Sequence, residues 1–186
     1  MTDGTQILFI QGGGAGVHDE WDAKLVDSLA GKLGDGYEIR YPRMPQEDDP
    51  SYPSWSAAIE HELLALGDGA VIVGHSVGAV ILISVLAETP LQSKPGMIVL
   101  LAAPFVGEGG WPGEEFELPA DLGDRLPAGV PVHAFHGLED GTVEPSHADL
   151  YARTIPQAQL YRLPGRDHQF NNDLSEVADV IKRRSA

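Results

Sequence analysis

Six short runs rich in Val, Ile, Leu and Tyr recur along the chain, at 6–10, 37–41, 70–74, 97–102, 131–136 and 159–163. Helix-length segments lie between and after them, at 20–32, 54–66, 77–88, 146–154 and 174–184. Strands spaced by helices return to the sheet by crossovers and therefore run parallel. The pattern predicts one α/β domain over residues 1–186, with a mostly parallel sheet of about six strands and helices on both faces. Pro42 and Pro45 close the second strand region, and Pro90 stops the helix at 77–88. In the last segment Leu174, Val177, Ala178 and Ile181 fall at helical spacing, and Lys182, Arg183 and Arg184 suit the negative end of its dipole. Residues 107–130 break the alternation. This Gly-, Pro- and acid-rich stretch reads as a crossover segment or a small lid.

Composition narrows the partners. With 28 acidic against 12 basic residues the net charge is −16, which disfavours nucleic acid and anionic membrane surfaces. No apolar stretch approaches the roughly 20 residues of a membrane span. The N-terminus carries Asp3 and no basic residue, so no signal peptide is expected there. The chain has no cysteine, which excludes disulfides and thiolate chemistry. A cytoplasmic protein, monomeric or homodimeric, is the expectation.

The chemistry concentrates in residues 71–83, VIVGHSVGAVILI. A buried-type strand runs into Gly74-His75-Ser76-Val77-Gly78 and directly on into a helix. The plainer role for Ser76 is a helix N-cap. The alternative is a nucleophile elbow, in which the serine is held in a strained turn and glycines two residues to either side avoid collision. A serine nucleophile needs a base and an orienting carboxylate, each on a loop after a strand. The fifth strand runs into Glu139-Asp140 and the sixth into Asp167-His168, so Asp140 lies 64 residues after Ser76 and His168 another 28 on. Glu139 competes with Asp140, and Asp167 is too close in sequence to reach the far ring nitrogen. Among the other histidines, His75 sits in the elbow, His61 on a helix, and His133 and His136 in a strand; His18 and His147 are not placed like His168.

A tetrahedral intermediate also needs oxyanion donors. The N–H of Val77 is one, and the glycine loop after the first strand supplies the other, from Gly13 or else Gly14. The same loop fails as a dinucleotide fingerprint: G-x-G-x-x-G from Gly12 meets Val17, and from Gly14 it meets Asp19. A metal site built from His136, Glu139, Asp140 and His168 has no recognised ligand spacing. Trp55, Phe105, Trp111 and Phe170 are candidate substrate-binding walls, or equally core residues.

These features together resemble the small α/β-hydrolases related to retinoblastoma-binding protein nine and the YdeN-type proteins. The resemblance runs through the loop at 12–16, Trp21, Met44-Pro45, Trp55, the elbow, the Asp140 turn and the segment from Gly165 to Gln169. It implies a three-layer hydrolase fold without a large cap domain, a Ser76–His168–Asp140 triad and no cofactor. It also implies activity on small esters or amide-type substrates, or else a catalytically silent module that binds a protein partner.

Overall fold

The computed structural model describes residues 4–185; Asp3, on which the signal-peptide expectation partly rests, lies outside them. The elements follow in the order β1 (Thr5–Ile10), α1 (Ala23–Leu33), β2 (Tyr37–Arg40), α2 (Tyr52–Leu63), β3 (Val71–His75), α3 (Ser76–Glu88), β4 (Met97–Leu101), α4 (Leu122–Arg125), β5 (Val132–Gly137), α5 (Ser146–Thr154), β6 (Gln159–Leu163) and α6 (Ser175–Ser185). A π-helical turn, Val17–Asp22, leads into α1. All six strands pair in parallel, in the order β2-β1-β3-β4-β5-β6. The six expected strands and five expected helices are all present, with ends shifted by a few residues.

Alternation along the strands divides the core into two layers. Ile7, Phe9, Val71, Val73, Val99 and Leu101 face α1 and α6. Leu8, Ile10, Ile72, Ile98 and Leu100 face α2, α3, α4 and α5. Helix α3 is buried over nearly its whole circumference, from Gly78 to Leu86, which is why its sequence has no polar face. Residues 107–130 resolve as a crossover between β4 and β5. Leu118, Leu122, Leu126 and Val130 enter the α3-side core, and Phe116 stacks on Tyr52 with ring centroids 4.4 Å apart.

Strand order reverses between β1 and β3, since β1 leads outward to β2 and β3 leads the other way to β4. Loops at such a switch point open a crevice at the C-terminal end of the sheet. Here they are the glycine loop after β1 and the turn at Ser76. The two meet at very short range: a Cβ on Gly78 would stand 1.9 Å from the Gln11 carbonyl oxygen, and one on Gly74 would stand 2.7 Å from the Ala79 Cα. Both obstacles are backbone and cannot rotate away. Gly78→Ala is therefore expected to destabilise the fold by about 3 kcal/mol, read as a fall of roughly 9 °C in Tm.

Candidate active site

Ser76 is the first residue of α3 and has φ +52°, a left-handed conformation that is uncommon for a residue with a side chain. The strain turns its hydroxyl away from the helix. Instead of capping α3, Ser76 Oγ lies 3.0 Å from His168 Nε2, and His168 Nδ1 lies 2.8 Å from Asp140 Oδ2. The three side chains, from loops after β3, β5 and β6, thus form one hydrogen-bonded chain.

Asp140 is buried, whereas Glu139 beside it and Asp167 beside His168 are exposed. Asp167 instead accepts the N–H groups of Gln169 and Asn171. Asp140 Oδ1 accepts the backbone N–H groups of Thr142 and Val143 at 2.8 and 2.9 Å. Its Oδ2 also lies 3.3 Å from Nε2 of His136, which donates to the Val143 carbonyl at 2.9 Å. Burial favours the neutral acid, but the bonds from His136, His168 and Val143 outweigh it and hold the carboxyl well below the usual range. An ionised carboxylate only accepts. His168 Nδ1 therefore carries a hydrogen, and the Nε2 lone pair faces the serine hydroxyl.

The loop that carries His168 is rigidly braced. Phe170, Asn171 and Asn172 all have φ near +54°, the first and last at +52° and +56°. Asn171 Nδ2 donates to the Gly165 carbonyl, and Arg166 donates to Phe170 O, Asp173 and Glu176. The Ser175 hydroxyl and the Arg166 guanidinium together push Asp173 down to about 2.

Of the oxyanion candidates, Val77 lies in the first turn of α3, where N–H groups have no intrahelical acceptor. Gly13 adjoins it, since a Cβ there would stand 2.8 Å from Val77 Cγ1, and its N–H has no hydrogen-bond partner among the described residues. Gly14 is corrected: its N–H donates to the Glu47 carbonyl at 2.5 Å and is not available to a ligand. Three of the four aromatic candidates are also corrected. Trp55 is fully buried and donates its indole N–H to the Pro45 carbonyl at 2.7 Å. Phe105 packs edge-on to Tyr151 in the core. Phe170 is buried beside α1 and α6 and anchors the His168 loop. Only Trp111 is exposed, edge-on to His147.

Several polar residues around the site carry no sequence signal of their own. Glu47 accepts N–H groups from Gly16, His18 and the Gln11 side chain and so fastens the glycine loop. Asp22 and His75 form a buried pair with Nδ1 2.9 Å from Oδ2. Only their burial and their partners mark them out. Two surface grooves lie at the opposite, N-terminal edge of the sheet, lined by residues such as Gln6, Asp68, Glu88 and Arg184, and contain none of Ser76, Asp140 and His168.

Because the Asp140 carboxyl is held below its unfolded value near 4, it contributes stability above that pH and loses it as pH falls towards the folded value. Urea midpoints of the wild type are expected to drop between about pH 4 and pH 2. Asp140→Asn is expected to be less stable at pH 7 and to lose less of its stability over that interval.

The model of the alpha/beta hydrolase family matches residues 7–183. No curated protein matches the sequence significantly. Among solved structures, the ydeN gene product of B. subtilis is 21% identical, covers 97% of this chain and 98% of its own, and superposes with a TM-score of 0.73. Est1E of Butyrivibrio proteoclasticus, solved with ferulic acid bound, is 16% identical over 98% of this chain and 88% of its own, with a TM-score of 0.69. The esterase domain of a Rhodothermus marinus protein is 20% identical over 100% and 88%, with a TM-score of 0.68. At these identities the solved structures share the fold, and the match over 7–183 carries the assignment: the chain belongs to the alpha/beta hydrolase family, and its described residues include no cap domain.

Proposed function

We propose that the protein is a serine hydrolase that cleaves small carboxylic esters through an acyl-enzyme, with Ser76, His168 and Asp140 as its catalytic residues. The observation that carries this reading is the unbroken contact from Ser76 Oγ through the His168 ring to the Asp140 carboxylate. In acylation Ser76 Oγ bonds to the carbonyl carbon while His168 Nε2 takes its proton. Asp140 holds the ring in the tautomer that can accept it and stabilises the imidazolium formed. The oxyanion is received by the N–H groups of Val77 and Gly13. Collapse breaks the ester bond, and the leaving alkoxide takes the proton from His168. Water, deprotonated by the same nitrogen, then attacks the acyl group, and His168 returns that proton to Ser76 Oγ as the acyl bond breaks, releasing the carboxylic acid and free Ser76.

The crossover at 107–130 commits Leu118, Leu122, Leu126 and Val130 to the core and leaves Trp111 exposed, and among the described residues it forms no cap to enclose a long chain. Small soluble acyl groups fit such a site, and the acidic surface favours neutral or cationic substrates.

A fluorophosphonate probe is expected to label the wild type and not Ser76→Ala. Hydrolysis of p-nitrophenyl acetate should fall by about 10⁴-fold or more in that variant, with no loss in Tm. Folded wild-type protein that is neither labelled nor active would instead indicate a binding module on a hydrolase scaffold. Across p-nitrophenyl esters of graded acyl length, kcat/KM is expected to be highest for acetate to butyrate; a maximum at long chains would contradict the small-substrate assignment.

A further inference from the structure

A second carboxylate, outside the triad, contacts the glycine loop, the elbow and the His168 loop that the proposed reaction uses. Asp22 closes the π-helical turn before α1 and is fully buried. Its Oδ2 accepts the Gly12 N–H at 2.7 Å and faces His75 Nδ1 at 2.9 Å, and its Oδ1 accepts the Gln169 side-chain N–H at 3.1 Å. On the far side of its ring, His75 Nε2 lies 3.0 Å from the His168 carbonyl oxygen. Each contact ends next to a reacting group. Gly12 precedes Gly13, His75 precedes Ser76, and the last two contacts hold His168 by its own carbonyl and by its neighbour. A Cβ on Gly12 would stand 3.2 Å from both His75 Nδ1 and Ser76 Cβ, so glycine loop, histidine and elbow are packed against one another.

The charge state follows from the partners. A carbonyl only accepts, so His75 Nε2 carries a hydrogen. Both oxygens of Asp22 receive N–H donors from Gly12 and Gln169, surroundings that suit an acceptor-only carboxylate, and towards such a carboxylate Nδ1 also turns an N–H. A flipped Gln169 amide would turn its oxygen towards that carboxylate; the present orientation leaves Oε1 buried without a partner among the described residues and spends Nε2 on Asp22. His75 is then an imidazolium neutralised by Asp22. Burial opposes that charge, yet Asp22 and the His168 carbonyl outweigh it and raise the ring above its ordinary value. The other titratable groups facing the ring are His168, with centroids 5.0 Å apart, and Asp140.

We propose that Asp22 and His75 form a buried carboxylate–imidazolium clamp that sets the oxyanion loop, the nucleophile and the base in register, with both as positioning residues. The topology makes such a clamp necessary. β6 stands three strands from β3 in the sheet, roughly 14 Å away, so the His168 loop must reach back over β4 and β5 to meet Ser76. The contacts from His75 to His168 O and from Asp22 to Gln169 tie down the end of that reach. The proposal rests on the serine-hydrolase reading of Ser76, since without that chemistry there is no register to hold.

The test compares the full chain with Asp22→Asn and Gln169→Ala by p-nitrophenyl acetate kinetics, Tm and long-range ¹H–¹⁵N spectra of the histidine rings. In the wild type the His75 ring should show two protonated nitrogens at pH 7. In Asp22→Asn that signature should disappear, and kcat should fall about 30- to 100-fold with KM changed little, as expected for reacting groups misplaced by an ångström or less. Gln169→Ala cuts one arm without unpairing a buried charge; it should keep the His75 signature and lose kcat by about tenfold. A purely structural role would lower Tm and leave the kcat of the folded enzyme intact. A folded Asp22→Asn with wild-type kcat overturns the clamp, as does a singly protonated His75 in the wild type; if Asp22→Asn does not fold, wild-type kcat in Gln169→Ala overturns it. Wild type that is inert towards both ester and fluorophosphonate would refute the hydrolase reading first, and the clamp's role with it. An active wild type with indifferent variants would refute the clamp alone.

Discussion

The approach of Gly78 to the Gln11 carbonyl, with room for no side-chain atom between them, is the contact on which the rest of the site depends. It seats the start of α3 directly against the end of β1. Ser76 is thereby forced into a left-handed conformation, and the glycine loop is brought beside Val77. A strained serine of this kind persists only where its surroundings over-determine it. Here the restraint is hydrophobic: α3 is sealed on all sides by the sheet, α2 and the 107–130 crossover, so it cannot tilt to relieve the turn. The apolar core and the placement of the Ser76 hydroxyl are two ends of one packing arrangement.

Above that core, buried carboxylates act as junctions. Asp140 and Asp22 are fully enclosed and Glu47 partly so; they belong to different loops, and each gathers several N–H donors, Asp140 from its own turn and from His168, Asp22 and Glu47 from neighbouring segments. An isolated buried charge is strongly unfavourable, so a carboxylate in such a place fixes the position of every donor that satisfies it. Loops cannot be held by sheet hydrogen bonding, and in this protein carboxylates do that work. The net charge of −16 is mostly a property of the solvated surface, but its few buried members organise the rim of the sheet.

Much of the site was legible because chain order and strand context are local information. The elbow, the placement of Asp140 and His168 past strand ends, and the glycine loop could all be picked out one segment at a time. Misreadings arose where a residue type fits two environments. Trp55 and Phe170 were candidates for a substrate wall, yet the indole of Trp55 is committed to Pro45 O and Phe170 is the hydrophobic root of the His168 loop. Gly14 has the flexibility an oxyanion donor needs, but its N–H had already been claimed by Glu47 O. His75 was set aside as an elbow residue, and Asp22 reads as an ordinary helical acid. Their pairing spans 53 positions, and nothing in either local stretch announces it.

The sequence by itself determined the parallel α/β architecture and which serine stands at a tight strand-to-helix turn, because β-branched runs, helical periodicity and flanking glycines act over a few neighbouring residues. Tertiary structure alone decided that Asp22 meets His75, which glycine N–H stays unpaired, and which aromatics vanish into the core. Those outcomes depend on distances between loops from β1, β3, β5 and β6, and such distances exist only once the sheet has brought the strand ends together.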